Sequence, residues 1–143
     1  MVTVYDVDAN RLIKNAADKL KEMGIAPPKF VGSTKTGPHA ERLPQEKDFW
    51  YVRLASLMRK AYIGSPIGVA RLRTHYGGRK KRGVRPERHR DAGGNIIRKG
   101  LQSLEKAGLL KTKKVPKPGR YITPAGQKLL DACAKQASTE AKK

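Results

Sequence analysis

Between Arg71 and Lys99 lie eleven basic side chains, Arg71, Arg73, Arg79, Lys80, Lys81, Arg82, Arg85, Arg88, Arg90, Arg98 and Lys99, opposed only by Glu87 and Asp91. Arginine outnumbers lysine among them, and a guanidinium fork suits bidentate phosphate contacts and base stacking better than an ammonium does. The chemistry such a stretch supports is the gripping of a polyanion. Gly77, Gly78, Gly83, Gly93, Gly94 and Pro86 punctuate it, so it reads as a long irregular basic loop over 77–94, able to follow a curved phosphate backbone. Arg53, Ser56, Arg59 and Lys60 recur at three- and four-residue spacing, which places them on one polar stripe of a helix. Asn95, Arg98, Lys99 and Gln102 form a similar outer face further on, with the residue types that reach phosphates and base edges.

Other chemistries lack their residues. His39, His75 and His89 sit in Gly/Pro or basic surroundings without spaced carboxylate or cysteine ligands, so neither a metal site nor a catalytic triad is expected. Gly77-Gly78-Arg79-Lys80 lacks the spacing of a nucleotide-binding loop. The acidic residues are scattered, which removes the usual two-metal nuclease arrangement. Cys133 is the only cysteine; it falls on an apolar helix face and reads as a small buried hydrophobe. No enzyme activity, cofactor or small-molecule substrate is expected.

The 143 residues fit one domain at roughly 100–200 residues per domain. Net charge is +20 at pH 7, with 38% hydrophobic and 6% aromatic residues. Such an excess on a small body with a modest core calls for a polyanionic partner. The charge is uneven: Met1 to Gly24 is neutral, with Arg11, Lys14, Lys19 and Lys21 against Asp6, Asp8, Asp18 and Glu22. A lone cysteine fits a reducing compartment. No apolar run approaches the ~18 residues of a membrane span, so a cytoplasmic protein without membrane association is expected.

The elements that must position these residues follow from periodicity. Leu12, Ile13, Ala16, Ala17 and Leu20 recur at helical spacing between Asp8, a cap, and Gly24, a stop. Pro27-Pro28 begins a long connection to Pro44 whose length suggests packing across the body. A second helix over about 47–63 carries two apolar lines, Trp50, Leu54, Leu57 and Ala61 beside Tyr51, Met58 and Tyr62, and is therefore central. Ser65-Pro66 reads as a cap plus first-turn proline opening a short third helix that ends at Gly77. Ile96, Ile97, Leu101 and Leu104 mark a fourth helix closed by Gly108. Two short strands flank Pro116-Lys117-Pro118-Gly119, a hairpin over about 109–123 with lysines on its rim. Thr123-Pro124 opens a final helix through Leu129, Leu130, Cys133 and Ala137, with 138–143 expected to fray.

Helix, turn, helix, hairpin, helix is the order of a winged helix. The expected fold is a mainly α, five-helix single domain over 1–143, built around a winged helix-turn-helix with a small β-hairpin wing. Positive charge spread over the second helix, the basic loop and the fourth helix suits a protein gripping several backbones of a folded RNA by shape. The alternative is a DNA-binding winged-helix transcription regulator, which would read duplex through Asn95 and Gln102 and would dimerise.

Four motifs in series carry a resemblance: Phe49-Trp50-Tyr51-Val52-Arg53-Leu54-Ala55-Ser56, Tyr76-Gly77-Gly78-Arg79, Leu101-Gln102-Ser103-Leu104-Glu105 and Ile122-Thr123-Pro124-Ala125-Gly126-Gln127. Together with Val4-Tyr5-Asp6-Val7 they make nearly the whole chain similar to the family of ribosomal protein nineteen of the small subunit, archaeal and eukaryotic type. The resemblance implies a non-catalytic structural component of the small-subunit head. It would bind small-subunit ribosomal RNA beside neighbouring head proteins, be needed for subunit maturation, and be a monomer when free. Position by position it points to Arg53, Arg59, Arg79 and Arg98, with Tyr76, Gly77 and Gly78 shaping the turn. Charge and resemblance together give an RNA-binding set of Arg53, Arg59, Lys60, Arg71, Arg73, Tyr76, Gly77, Gly78, Arg79, Lys80, Lys81, Arg82, Arg85, Arg88, Arg98 and Lys99. The chain departs from the family pattern in the heavier charge of Arg79-Lys80-Lys81-Arg82 and of Pro86 to Arg90, and in Asp91-Ala92-Gly93-Gly94, which stands in place of a Ser/Gly-rich stretch.

Overall fold

Asp8 accepts a hydrogen bond from the Arg11 N–H at 3.2 Å and opens α1, Ala9–Glu22. Gly24, at φ 69°, turns the chain away at the other end, as its left-handed tolerance allows. These are details of a computed structural model that describes residues 1–141. The central helix α2, Phe49–Gly64, buries Trp50, Leu54, Ala55, Leu57, Met58 and Ala61. Its two apolar lines contact α1 on one side and α4, Gly94–Lys106, on another. A Cβ on Gly100 would lie 2.7 Å from Leu57 Cδ1 and 3.4 Å from Leu54 Cδ2, so the missing side chain is what lets α4 approach α2. Large core side chains such as Trp50, Leu12, Leu20 and Leu101 are fully buried, each contributing roughly 1.5–3 kcal/mol.

The third helix starts later than its proline suggests. α3 spans Val69–Tyr76, and Ser65 instead hydrogen-bonds back to the Ala61 carbonyl at the end of α2. The residues between are extended because Ile67 exchanges two 3.0 Å backbone hydrogen bonds with Arg120. They form a third line beside the wing, and this pairing overrides the capping preference of Ser-Pro. The wing itself is an antiparallel pair, Leu110–Lys113 with Gly119–Ile122, in the register Leu110↔Ile122. Thr123 caps the last helix, accepting from the Gly126 N–H at 3.2 Å. Its hydroxyl also lies 2.8 Å from the Gly108 carbonyl and 3.0 Å from that of Leu109, tying the cap to the turn that precedes the wing.

That last helix runs over Pro124–Ala141, past the expected start of the tail at 138: Ala137 is buried, and Asn15 donates to Glu140 Oε2 at 3.2 Å, linking the final turn to α1. Lys142 and Lys143 lie outside the described residues. Cys133 is wholly buried on this helix, and burial pushes its thiol pKa up. The five helices and the wing form a mainly α winged-helix domain.

The expectation of an irregular basic loop at 77–94 is corrected. Most of it is a second antiparallel hairpin, β1 Gly78–Arg82 with β2 Arg85–Arg90, turning at Gly83 with φ 67°. The wing strands are thus β3, Leu110–Lys113, and β4, Gly119–Ile122, and the last helix is α5. The basic hairpin occupies the turn between α3 and α4, where a simple helix-turn-helix has about three or four residues. Its strands were hidden because all six β2 residues are exposed, so no apolar alternation marks them.

Candidate nucleic-acid interface

The basic hairpin has almost nothing holding it but its backbone and its root. Across the ribbon Lys80 faces Arg88 and Arg82 faces Arg85, like charges that oppose pairing. Its acidic relief is slight: Lys81 approaches Glu41 at 3.8 Å and His89 approaches Asp91 at 3.4 Å, both in exposed positions where such pairs are weak. Arg82 Nε donates to the Pro86 carbonyl at 2.8 Å, bracing the tip. Val84, at the turn, is fully exposed.

The root is built more firmly. Ala92 N–H donates to the Arg73 carbonyl at 2.9 Å, and Arg73 Nε donates to the Ala92 carbonyl at 3.1 Å. Gly93 N–H donates to the Thr36 carbonyl of the long connection at 2.7 Å. A Cβ on Gly77 would fall 2.4 Å from the Arg90 carbonyl oxygen, so only glycine allows the two strands to leave the core this closely. The His39 ring packs on Gly78, 3.2 Å from where a Cβ would sit. The long connection therefore packs across the body as its length suggested, and it pins the hairpin.

Beside the root, α2 supplies a second basic element. Arg53 places its guanidinium 4.2 Å from the Tyr76 ring centroid and 5.4 Å from that of Phe49. Among the described residues no carboxylate lies within ion-pair distance of it. Burial lowers the Arg53 pKa, because the cation has lost water without gaining a counter-charge. Burial likewise raises the Tyr76 pKa, opposed by its 2.6 Å hydrogen bond with Ser56 and by the nearby Arg53 and Arg59 cations. Arg59 keeps its Nε buried without a hydrogen-bond partner among the described residues. His75 is pushed below its ordinary pKa by burial and by the cations Lys60 and Arg53.

The structure thus gathers Arg53, Arg59, Lys60 and Tyr76 where α2 meets the end of α3, next to Gly77 and Gly78. Arg79, Lys80, Lys81, Arg82, Arg85 and Arg88 lie on the hairpin. Arg73 is turned to the hairpin root. Arg98 and Lys99 are exposed on α4, Arg98 donating to Asn95 Oδ1 at 3.2 Å. Arg71 lines a cavity of about 650 Å³ with Lys117 of the wing turn and a smaller one of about 200 Å³ with Lys60 and His75. Sequence reasoning missed Lys14, Lys35, His39 and Arg42, which line the grooves beside the hairpin and α2. Three of them lie in the aperiodic connection, where only their basic character is visible. Among the described residues no three His, Cys, Asp or Glu side chains gather as metal ligands, and no helix is long and apolar enough to cross a membrane.

Fold and site together define a winged-helix protein with a cationic hairpin set into the turn of its helix-turn-helix. Residues 3–140 match the family model described as Ribosomal protein S19e. The chain is 50% identical over 143 residues to the small ribosomal subunit protein eS19 of Aeropyrum pernix, covering 98% of this chain and 92% of that one. It is 46% identical to eS19 of Emericella nidulans, covering 97% and 94%, and 43% identical to eS19A of Saccharomyces cerevisiae, covering 97% and 96%. The chain belongs to the ribosomal protein S19e family, a family of ribosomal structural proteins and not a class of enzymes.

Proposed function

We infer that this chain is an RNA-binding structural component of the head of the small ribosomal subunit, on whose presence subunit maturation depends. The observation that carries the RNA-binding part is the basic hairpin: a two-stranded ribbon with like charges facing across it and no apolar face, tied at its root and exposed along the whole of β2. Repulsion of that kind is offset when phosphates lie between and beside the strands. Family membership supports the ribosomal setting, in cytoplasmic ribosomes with neighbouring subunit proteins as further partners.

Three groups of side chains divide the work. Arg79, Lys80, Lys81, Arg82, Arg85 and Arg88 form a phosphate-binding ribbon, held in place by Gly77, Gly78, Tyr76 and Arg73. Arg53, Arg59 and Lys60 present charge from the rigid central helix, and Arg98 and Lys99 from α4. Arg71 carries the charge of Lys60 on toward the wing turn. Contacts of this kind position the protein by shape and backbone, as folded RNA requires.

Sedimentation of a native extract through a sucrose gradient tests the reading, with the chain located by mass spectrometry before and after a high-salt wash. Comigration with the small subunit is the expected result. Free or chromosome-associated protein, absent from subunits, would overturn it and favour duplex DNA read by Asn95 and Gln102.

A further inference from the structure

A groove of about 690 Å³ runs between α1, the long connection, α2 and the end of α3. Ile13, Leu43, Phe49 and Val52 give it an apolar wall, and Arg53, stacked on Tyr76, lies among its lining residues. Leu43, 47% exposed, stands at the mouth of this groove, so its apolar wall is open to an incoming ligand. Arg53 has been desolvated there without a carboxylate partner. Lys14 and Arg42 add two cations to the lining, against the single carboxylate of Glu46.

We propose that this groove takes one nucleotide extruded from the bound RNA, its base against the apolar wall and its phosphate on Arg53 and Arg42. The proposal rests on the RNA-binding reading above and specifies it. The groove's volume is in the range that encloses a small ligand, ample for a nucleoside monophosphate unit. A base offers a flat apolar face and a phosphate a diffuse negative charge, the pairing that matches an apolar wall beside an unpaired guanidinium.

Continuity decides for RNA over an acidic peptide. Arg42 lines this groove and also the adjoining one of about 560 Å³, where Lys35, Arg79, Lys80 and Lys81 of the connection and hairpin outweigh the carboxylates of Glu41 and Glu87. A strand leaving the first groove therefore crosses a cationic floor with the hairpin on its flank, the path of a repeating anion. Single-stranded segments with splayed bases are what proteins read on folded RNA, and each stacked base strengthens binding severalfold.

The test uses the full chain with methyl-labelled valine and leucine in NMR. AMP, GMP, CMP and UMP are titrated separately, with inorganic phosphate and a Glu/Leu peptide as controls. Expected are shifts at Val52 and Leu43 with at least one monophosphate and none with phosphate alone. Leu43→Trp, at an exposed site, fills the mouth. It should abolish the Val52 shifts and weaken binding to small-subunit ribosomal RNA about tenfold, the slope of log affinity against log salt flattening by about 0.7 because the phosphate on Arg53 and Arg42 is lost with the base. Thermal unfolding and a core-resolved spectrum confirm that the variant is folded. If the monophosphates leave Val52 and Leu43 unmoved, or the Trp variant binds RNA as the parent does, the groove does not take a nucleotide. Peptide-induced shifts without nucleotide shifts would give it to a protein partner instead. Arg85→Glu with Arg88→Glu separates the two readings: RNA binding lost there but kept in Leu43→Trp overturns the groove alone, and binding kept in both overturns the parent reading as well.

Discussion

Replacing Arg85 and Arg88 together by glutamine should move stability and affinity in opposite senses. Arg85 faces Arg82 across the hairpin and Arg88 faces Lys80, so the free protein loses two like-charge pairs and no apolar contact. Its Tm should hold steady or rise by about 1 °C. In the complex the same change deletes two phosphate contacts. Each contributes about 0.7–0.9 to the slope of log affinity against log salt, so the slope should flatten by roughly 1.4–1.8. At about 0.1 M salt that is a loss of roughly 25- to 60-fold, shrinking toward nothing near about 1 M. The assay is binding of the folded variant to small-subunit ribosomal RNA at four or five salt concentrations, beside a thermal melt without RNA. Parallel salt lines for variant and parent would show that neither arginine meets a phosphate. A fall in Tm matching the fall in affinity would show that the hairpin's charges are part of its own structure, and the argument from repulsion would fail.

Gly77→Ala puts a Cβ within 2.4 Å of the Arg90 carbonyl, a backbone atom that cannot step aside. Amide exchange should quicken across β1 and β2 and RNA affinity should drop, while protection in α2 and α5 stays as it was. Gly100→Val drives a branched side chain onto Leu57 and Leu54 and should cost about 1–3 kcal/mol in denaturant unfolding, from overpacking between α4 and α2. His75 has a lowered pKa in the folded chain, through burial first and then Lys60 and Arg53. The unfolded chain thus binds its proton more readily, so this residue's contribution is intact above the ordinary histidine value of about 6.5 and is lost as pH falls below it. A melt series from about pH 8 to about pH 5 should show that loss, flattened in His75→Asn, and the imidazole resonance should titrate below the free value.

Helical periodicity made most of the fold legible. Trp50, Leu54, Leu57 and Ala61 marked the central helix because a buried helix leaves an apolar line at regular spacing, and Thr123-Pro124 marked α5 because its cap is local chemistry. The basic hairpin was illegible for the opposite reason: the half-buried positions of β1 are Gly78, Lys80 and Arg82 and all of β2 is exposed, so no apolar side chain writes a two-residue period. Ser65-Pro66 misled because its capping preference is worth less than the strand pairing of Ile67 with Arg120, a partner far along the chain. At the site, charge alone found Arg53, Arg59 and the hairpin cations. It did not find Arg42, His39 or Lys14, whose place depends on how the aperiodic connection folds back over Gly78 and the end of α3.

The chain leaves the core at Gly77 and returns at Ala92, beside the same Arg73 backbone. Topologically the ribbon is an insertion with nearly coincident ends. Its length is decoupled from the packing of the helices: adding or removing residues in cross-strand pairs near Gly83 shifts how far the charge projects without displacing α3 or α4. The body of the protein and the reach of its cationic arm are therefore separately adjustable quantities.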